Sequence, residues 1–233
     1  MTKELLSSWG VDFDPVNIEG NDDALREMIA LGANLAPVVA AAGGMVQGWN
    51  PGAVAALVGV PYADVPRLNP AQLAARLDEI LALAQQALRQ TPEAQLALEG
   101  PGRRRTLRQL AYHAFRLSAA FVDAMEQDGL EEAWLQEEAP PGLRTGPDLA
   151  AFGDAVRARL TRWFAQAPPE TYRGTAYTYY GEQSVHALLE RTCWHAGQHM
   201  RQAYDLLERH GVLPPGALDP AVFHDLPLPR AVW

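Results

Sequence analysis

Hydrophobic and polar positions follow two regimes along the chain. Between residues 71 and 211, apolar side chains recur at three- and four-residue steps, the spacing that stacks them on one face of an α-helix. Leu73, Leu77, Ile80, Leu81, Ala84 and Leu88 predict a helix from Pro70 or Ala71 to about Gln90. Leu107, Leu110, Ala114, Leu117, Phe121 and Met125 predict a second, capped by Thr106 and reaching about Gln127. Leu149, Phe152, Val156, Leu160 and Phe164 predict a third, capped by Asp148 and ended before Pro168-Pro169. A fourth is predicted from about Gln183 to His210, with Gly211 stopping it. The acidic, Pro- and Gly-rich stretch 128–147 reads as a long crossing loop, and the aromatic run 171–180 as a short ribbon or wall beside the last helix. Four amphipathic helices, with long connections before the third and the fourth, predict a four-helix bundle.

The first 60 residues follow a different rhythm. A helix over residues 2–9 is stopped by Gly10, and residues 11–18 (VDFDPVNI) alternate as a strand, which Pro15 confines to a sheet edge. Asn21 or Asp22 caps a helix over about 24–31; residues 35–40 and 45–49 read as two strands joined at Gly43-Gly44; Asn50-Pro51 opens a short helix to about Val58. The predicted fold class is therefore α+β. Its parts are a first domain over residues 1–60, a Pro-rich linker over 61–70, the bundle over 71–211, and a tail over 212–233 without regular structure.

Composition narrows the function classes. With 48% apolar and 20% charged residues the chain can bury a sizeable core. A net charge of −9 argues against nucleic-acid partners, which need clustered Lys and Arg. Arg103, Arg104 and Arg105 form the one basic run, and it reads as a solvated helix start. A single cysteine, Cys193, rules out an internal disulfide, and no apolar run is long enough to span a bilayer, so a cytoplasmic protein with no membrane partner is expected.

The candidate chemistry lies on the fourth helix. Val185, Leu188, Thr192, His195, His199, Gln202 and Leu206 fall on one seam, so two imidazoles one turn apart face the core and can close on one ion. His113, three residues after Leu110 and four before Leu117, looks inward from the second helix. Three neutral imidazoles suit Zn²⁺, Ni²⁺ or Fe²⁺ and leave an open position for a water or a thiolate. Gln202 is placed to orient a ligand or water. Cys193 lies two residues from His195, about 200° around the helix, and reads as a small buried hydrophobe. His186 and His210, near the helix ends, and His224, in the tail, read as solvated or dipole-related. Trp194, Tyr177, Tyr179 and Tyr180 line a substrate mouth or pack against the bundle.

Two resemblances extend this reading. His195-Ala196-Gly197-Gln198-His199-Met200-Arg201-Gln202 is similar to the H-x-x-x-H-x-x-Q of the DinB-like superfamily, and with His113 on the second of four helices the likeness covers about 140 residues. It implies a metal-dependent thiol S-transferase or isomerase of the mycothiol, bacillithiol or maleylpyruvate isomerase type. Its partners would be a low-molecular-weight thiol and a small electrophile, with a homodimer as a further option. Residues 1–60, with VDFDPVNIEGNDDALREMIALGA, LAPVV and MVQGWNPGAVAALVGV, resemble the later two-thirds of a glutaredoxin, of the thioredoxin fold; Ala36-Pro37 falls where that family keeps a cis-proline, which makes Pro37 a candidate thiol-binding position. The family's first strand and Cys-x-x-Cys are absent here. Either the segment is a degenerate remnant, or the true start lies upstream and carries them, which would make a redox protein. A non-catalytic, metal-binding stress-response module is the remaining alternative.

Overall fold

The computed structural model describes residues 2–18, 20–34, 36–62, 68–101, 105–127, 129–226, 228 and 232–233. The chain divides into two compact units, one built mainly from residues 1–66 and the other from residues 67–178 and 182–228 together with Val232–Trp233. The class is α+β. The expected linker falls largely on residues 63–67, which lie outside the described residues, as do Arg103 and Arg104 of the basic run.

In the smaller unit, α1 (Thr2–Ser8) ends ahead of Gly10, whose φ of +69° is easy only for glycine. Helix α2 (Asp22–Ala30) is capped by the Asn21 side chain, and an antiparallel hairpin follows: β1 (Val38–Ala41) pairs with β2 (Gly44–Gln47), Val38 opposite Gln47 and Ala41 opposite Gly44. Helix α3 (Pro51–Val58) starts on an Asn50 cap and stops at Gly59. Leu5, Leu6, Ala24, Met28, Ala33, Val54 and Ala55 form its small core. The strand expected at residues 11–18 does not form: that stretch has no regular secondary structure, and among the described residues no neighbouring strand pairs with it. Alternation marks a strand only when a partner takes its hydrogen bonds.

The larger unit is the bundle. Its helices are α4 (Pro70–Gln90), α5 (Leu107–Glu126), the short α6 (Glu132–Gln136), α7 (Gly146–Gln166) and, after the hairpin β3 (Thr175–Thr178) and β4 (Gly181–Ser184), α8 (Val185–Arg209). Helices α4 and α5 each pack against both α7 and α8, so the ring order is α4–α7–α5–α8 and chain neighbours α4 and α5 stand across the bundle. Among the described residues no helix is long and apolar enough to cross a membrane.

Capping fixes where three of these helices begin. Asn69, Thr106 and Thr145 each accept from the backbone N–H of a residue three further on, and the side chains of Gln72, Gln109 and Asp148 answer back. Asp148, expected as the cap, is thus the third residue of α7, and Thr145 is the cap. Two further expectations are revised. The crossing loop 128–147 contains α6, because Leu135 has an apolar face to bury, and the tail contains, among its described residues, one 3₁₀ turn, Pro220–Phe223, that buries Val222.

Helix α5 is the centre of the bundle. Every residue from Leu117 to Ala124 is buried, and so is every one from Leu110 to Phe115. Its Arg116 is satisfied by ion pairs to Asp123 (2.6 Å) and Glu137 (2.7 Å), as a cation at only 11% side-chain exposure must be. Helix α7 approaches closely because it presents Gly146, Ala150 and Gly153 inward. A Cβ at Gly146 would sit 2.0 Å from the carbonyl oxygen of Leu88, and one at Gly153 2.7 Å from the Phe115 ring. The Gln85 amide crosses this narrow α4–α7 seam, donating to the Ala150 carbonyl (2.7 Å) and Asp154 (2.6 Å) and accepting from Arg157 (2.9 Å).

Gly146→Ala is expected to destabilise the fold by about 1–3 kcal/mol, since the clash with a backbone carbonyl outweighs the helix propensity gained. Thermal unfolding would read this as a fall in Tm of roughly 2–4 °C per kcal/mol. An unchanged Tm would show that α4 and α7 separate without cost.

Candidate metal centre

The seam of α8 that carries His195 and His199 packs against α5, which brings His113. The three rings converge: centroids are 5.4 Å apart for His113 and His195, 4.9 Å for His113 and His199, and 4.7 Å for His195 and His199. One nitrogen from each lies within 4.8 Å of the other two. Bonds of 2.0–2.1 Å would set the nitrogens on one ion roughly 3–3.4 Å apart, so small inward tilts of the rings close the set.

Electrostatics favour ligation. Burial, seconded by the neighbouring rings of His199 and His113 and by the Arg191 guanidinium, holds the His195 imidazole well below its ordinary pKa, so it is neutral at pH 7. Neutral imidazole is the form that binds a metal. His113 is only 7% exposed, while His195 and His199 are partly open. That openness leaves an approach for a further ligand.

Gln202 Oε1 lies 2.8 Å from Nδ1 of His199, one of the three candidate ligands. Pro37 belongs to the smaller unit, where the Ala36–Pro37 peptide is cis. Cys193 is fully buried and donates its S–H to the Leu73 carbonyl at 3.3 Å, and burial pushes its thiol far above the ordinary range. His186 Nε2 meets the Leu68 carbonyl at 2.8 Å, His210 is the C-cap of α8, and the exposed His224 pairs with Asp225.

A feature the sequence reading missed lies beside His195. A small cleft, with about 10 Å³ of free volume and so room for roughly one water, is lined by Leu117, Phe121, Leu130, Leu135, Leu188, Arg191, Thr192 and His195. Its available sequence signal was Arg191, one helical turn before His195 and so on the same face.

The comparisons agree with this architecture. The sequence profile of the DinB superfamily matches residues 76–203, more than half of the chain and the whole span that carries the three histidines. The chain belongs to the DinB superfamily. The match does not reach the segment ahead of it, whose glutaredoxin likeness rests on the sequence pattern alone. No curated protein matches the chain.

The low pKa of His195 makes stability depend on pH with a definite sign. The unfolded imidazole titrates near 6.5 and the folded one well below it, so the unfolded state binds the extra proton first. Metal-free protein is expected to lose stability as pH falls from 6.5 toward the depressed folded value, and His195→Asn to flatten that slope. Equal slopes for the two proteins between about pH 7 and 5.5, measured by denaturant unfolding, would contradict the assignment.

Proposed function

We propose that this protein is a cytoplasmic, metal-dependent enzyme that uses His113, His195 and His199 to activate a low-molecular-weight thiol against a small electrophile, as a thiol S-transferase or isomerase. The observation that carries the reading is the convergence of three buried or half-buried imidazoles, one of them held neutral, beside a small cleft. An all-nitrogen donor set of this kind suits Zn²⁺, Ni²⁺ or Fe²⁺. A bound divalent ion supplies the charge that keeps a thiol deprotonated at neutral pH.

The chain's own residues do the rest. His113, His195 and His199 would hold the ion, and His195 also lines the cleft. Leu117, Phe121, Leu135 and Leu188 supply the apolar part of the cleft lining beside the polar Arg191, Thr192 and His195, a mixed wall that suits a small electrophile with an apolar body and a polar group. Arg191, on the same wall as His195, brings positive charge to where negative charge builds up on the electrophile. The nucleophile comes from outside, because the one protein thiol is buried and protonated.

Protein prepared without a histidine tag is expected to bind one divalent ion per chain. His113→Ala, His195→Ala and His199→Ala should each weaken that affinity by more than about tenfold and abolish turnover in a screen of low-molecular-weight thiols against small electrophiles. Chelation should remove activity and leave most of the helical signal. Unfolding on chelation would mark a structural ion, and an absence of divalent-ion binding would end the proposal.

A further inference from the structure

A single backbone carbonyl, that of Val232, ties together two side chains of α8. It accepts from Nε2 of Gln198 at 2.7 Å and from Nε2 of Gln202 at 3.0 Å. The next residue is fastened to the same helix: the Trp233 indole N–H donates to Asp205 at 2.5 Å, and Asp205 also pairs with Arg209 at 2.9 Å. The indole lies against Gly100, where a Cβ would come within 2.2 Å of the ring. Residues 198, 202, 205 and 209 follow at helical steps, so Val232 and Trp233 run along one face of α8.

The consequence reaches the candidate metal centre through hydrogen-bond polarity. A carbonyl can only accept, so the nitrogen end of the Gln202 amide must face Val232. That leaves Oε1 toward His199, 2.8 Å from Nδ1. An amide oxygen can only accept as well, so Nδ1 carries the ring proton and the buried Nε2 keeps its lone pair. Only that tautomer ligates through Nε2. If the Val232 carbonyl is taken away, either end of the amide can meet the ring. The flipped amide would donate to Nδ1 and move the proton to Nε2, the form that cannot bind.

We infer that Gln202, oriented by the Val232 carbonyl, is a positioning residue that sets the tautomer of His199, which makes residues 232–233 a working part of the metal centre; this rests on the three-histidine reading proposed above. Gln198 is oriented by the same carbonyl, its Oε1 accepting from Arg201 at 3.0 Å. It serves as a second anchor and does not touch the rings' tautomers.

The test is a comparison of four tag-free proteins by competitive Zn²⁺ titration, with circular dichroism to monitor the fold: the full chain, a chain ending at Leu228, and Gln202→Glu in both lengths. A carboxylate presents an acceptor to Nδ1 whichever way it turns, so it needs no orienting carbonyl. Shortening is expected to weaken Zn²⁺ binding about tenfold when residue 202 is glutamine and by less than about twofold when it is glutamate. An equal loss in both backgrounds, or no loss in either, overturns the inference, since a purely packing role for residues 232–233 would not distinguish Gln from Glu. If the shortened chain loses helicity, Trp233→Phe replaces it; this variant removes the N–H that fastens residue 233 and keeps an aromatic ring over Gly100. A full chain that binds no Zn²⁺ overturns the three-histidine reading itself, whereas tight binding indifferent to shortening overturns only the tautomer lock.

Discussion

A helix buried on nearly all sides must place every polar group it carries against a partner, because water is not there to serve them. Helix α5 meets this condition in two ways. Arg116 is drawn to Asp123 and Glu137, and Asp123 takes a second cation, Arg159. His113 is turned toward the two histidines of α8. The same close packing that buries α5 therefore sets the spacing of the candidate centre. Gly146 and Gly153 of α7 let the neighbouring helices approach closely enough to hold α5 in that position.

Three imidazoles close together without a cation are a costly arrangement if any of them is charged. Burial resolves this by holding His195 neutral, and the cost of burying a charged ring falls away with the charge. What is left is a set of lone pairs and N–H groups whose direction matters more than their charge. His199 has its Nδ1 direction set by Gln202, and Gln202 is turned in its place by Val232. Order thus passes into the site from outside the bundle helices, through the polarity of two consecutive hydrogen bonds.

The parts of this molecule that local chemistry specifies were legible in the sequence. Thr106 and Asn21 announce helix starts, and the four apolar stripes mark the bundle because an α-helix fixes which residues share a face. His195 and His199 were readable as a pair for the same reason, and His113 because it borders the stripe of α5. Where the decisive partner is distant in sequence, the reading failed. Residues 11–18 alternate like a strand and have no described neighbour to pair with; Leu135 nucleates α6 inside a stretch whose composition says loop. Thr145 and Asp148 form one reciprocal cap, and the sequence alone does not say which of two good capping residues stands first. The partners of Gln202 were not legible, because one of them is a main-chain carbonyl 30 residues away, and a carbonyl leaves no trace in the identity of its residue.

The position of Cys193 bears on which chemistry such a centre can perform. It is two residues from His195, yet two residues turn a helix by about 200°, and its S–H is committed to the Leu73 carbonyl on α4. Moving its sulfur to the histidines would require α8 to rotate by half a turn, which would carry His195 and His199 away as it arrived. The protein thiol and the imidazole cluster are thus mutually exclusive on one face. A thiol that reacts at the cluster has to enter as a separate molecule, and the partly exposed His195, which also lines the small cleft, marks the side from which it would approach.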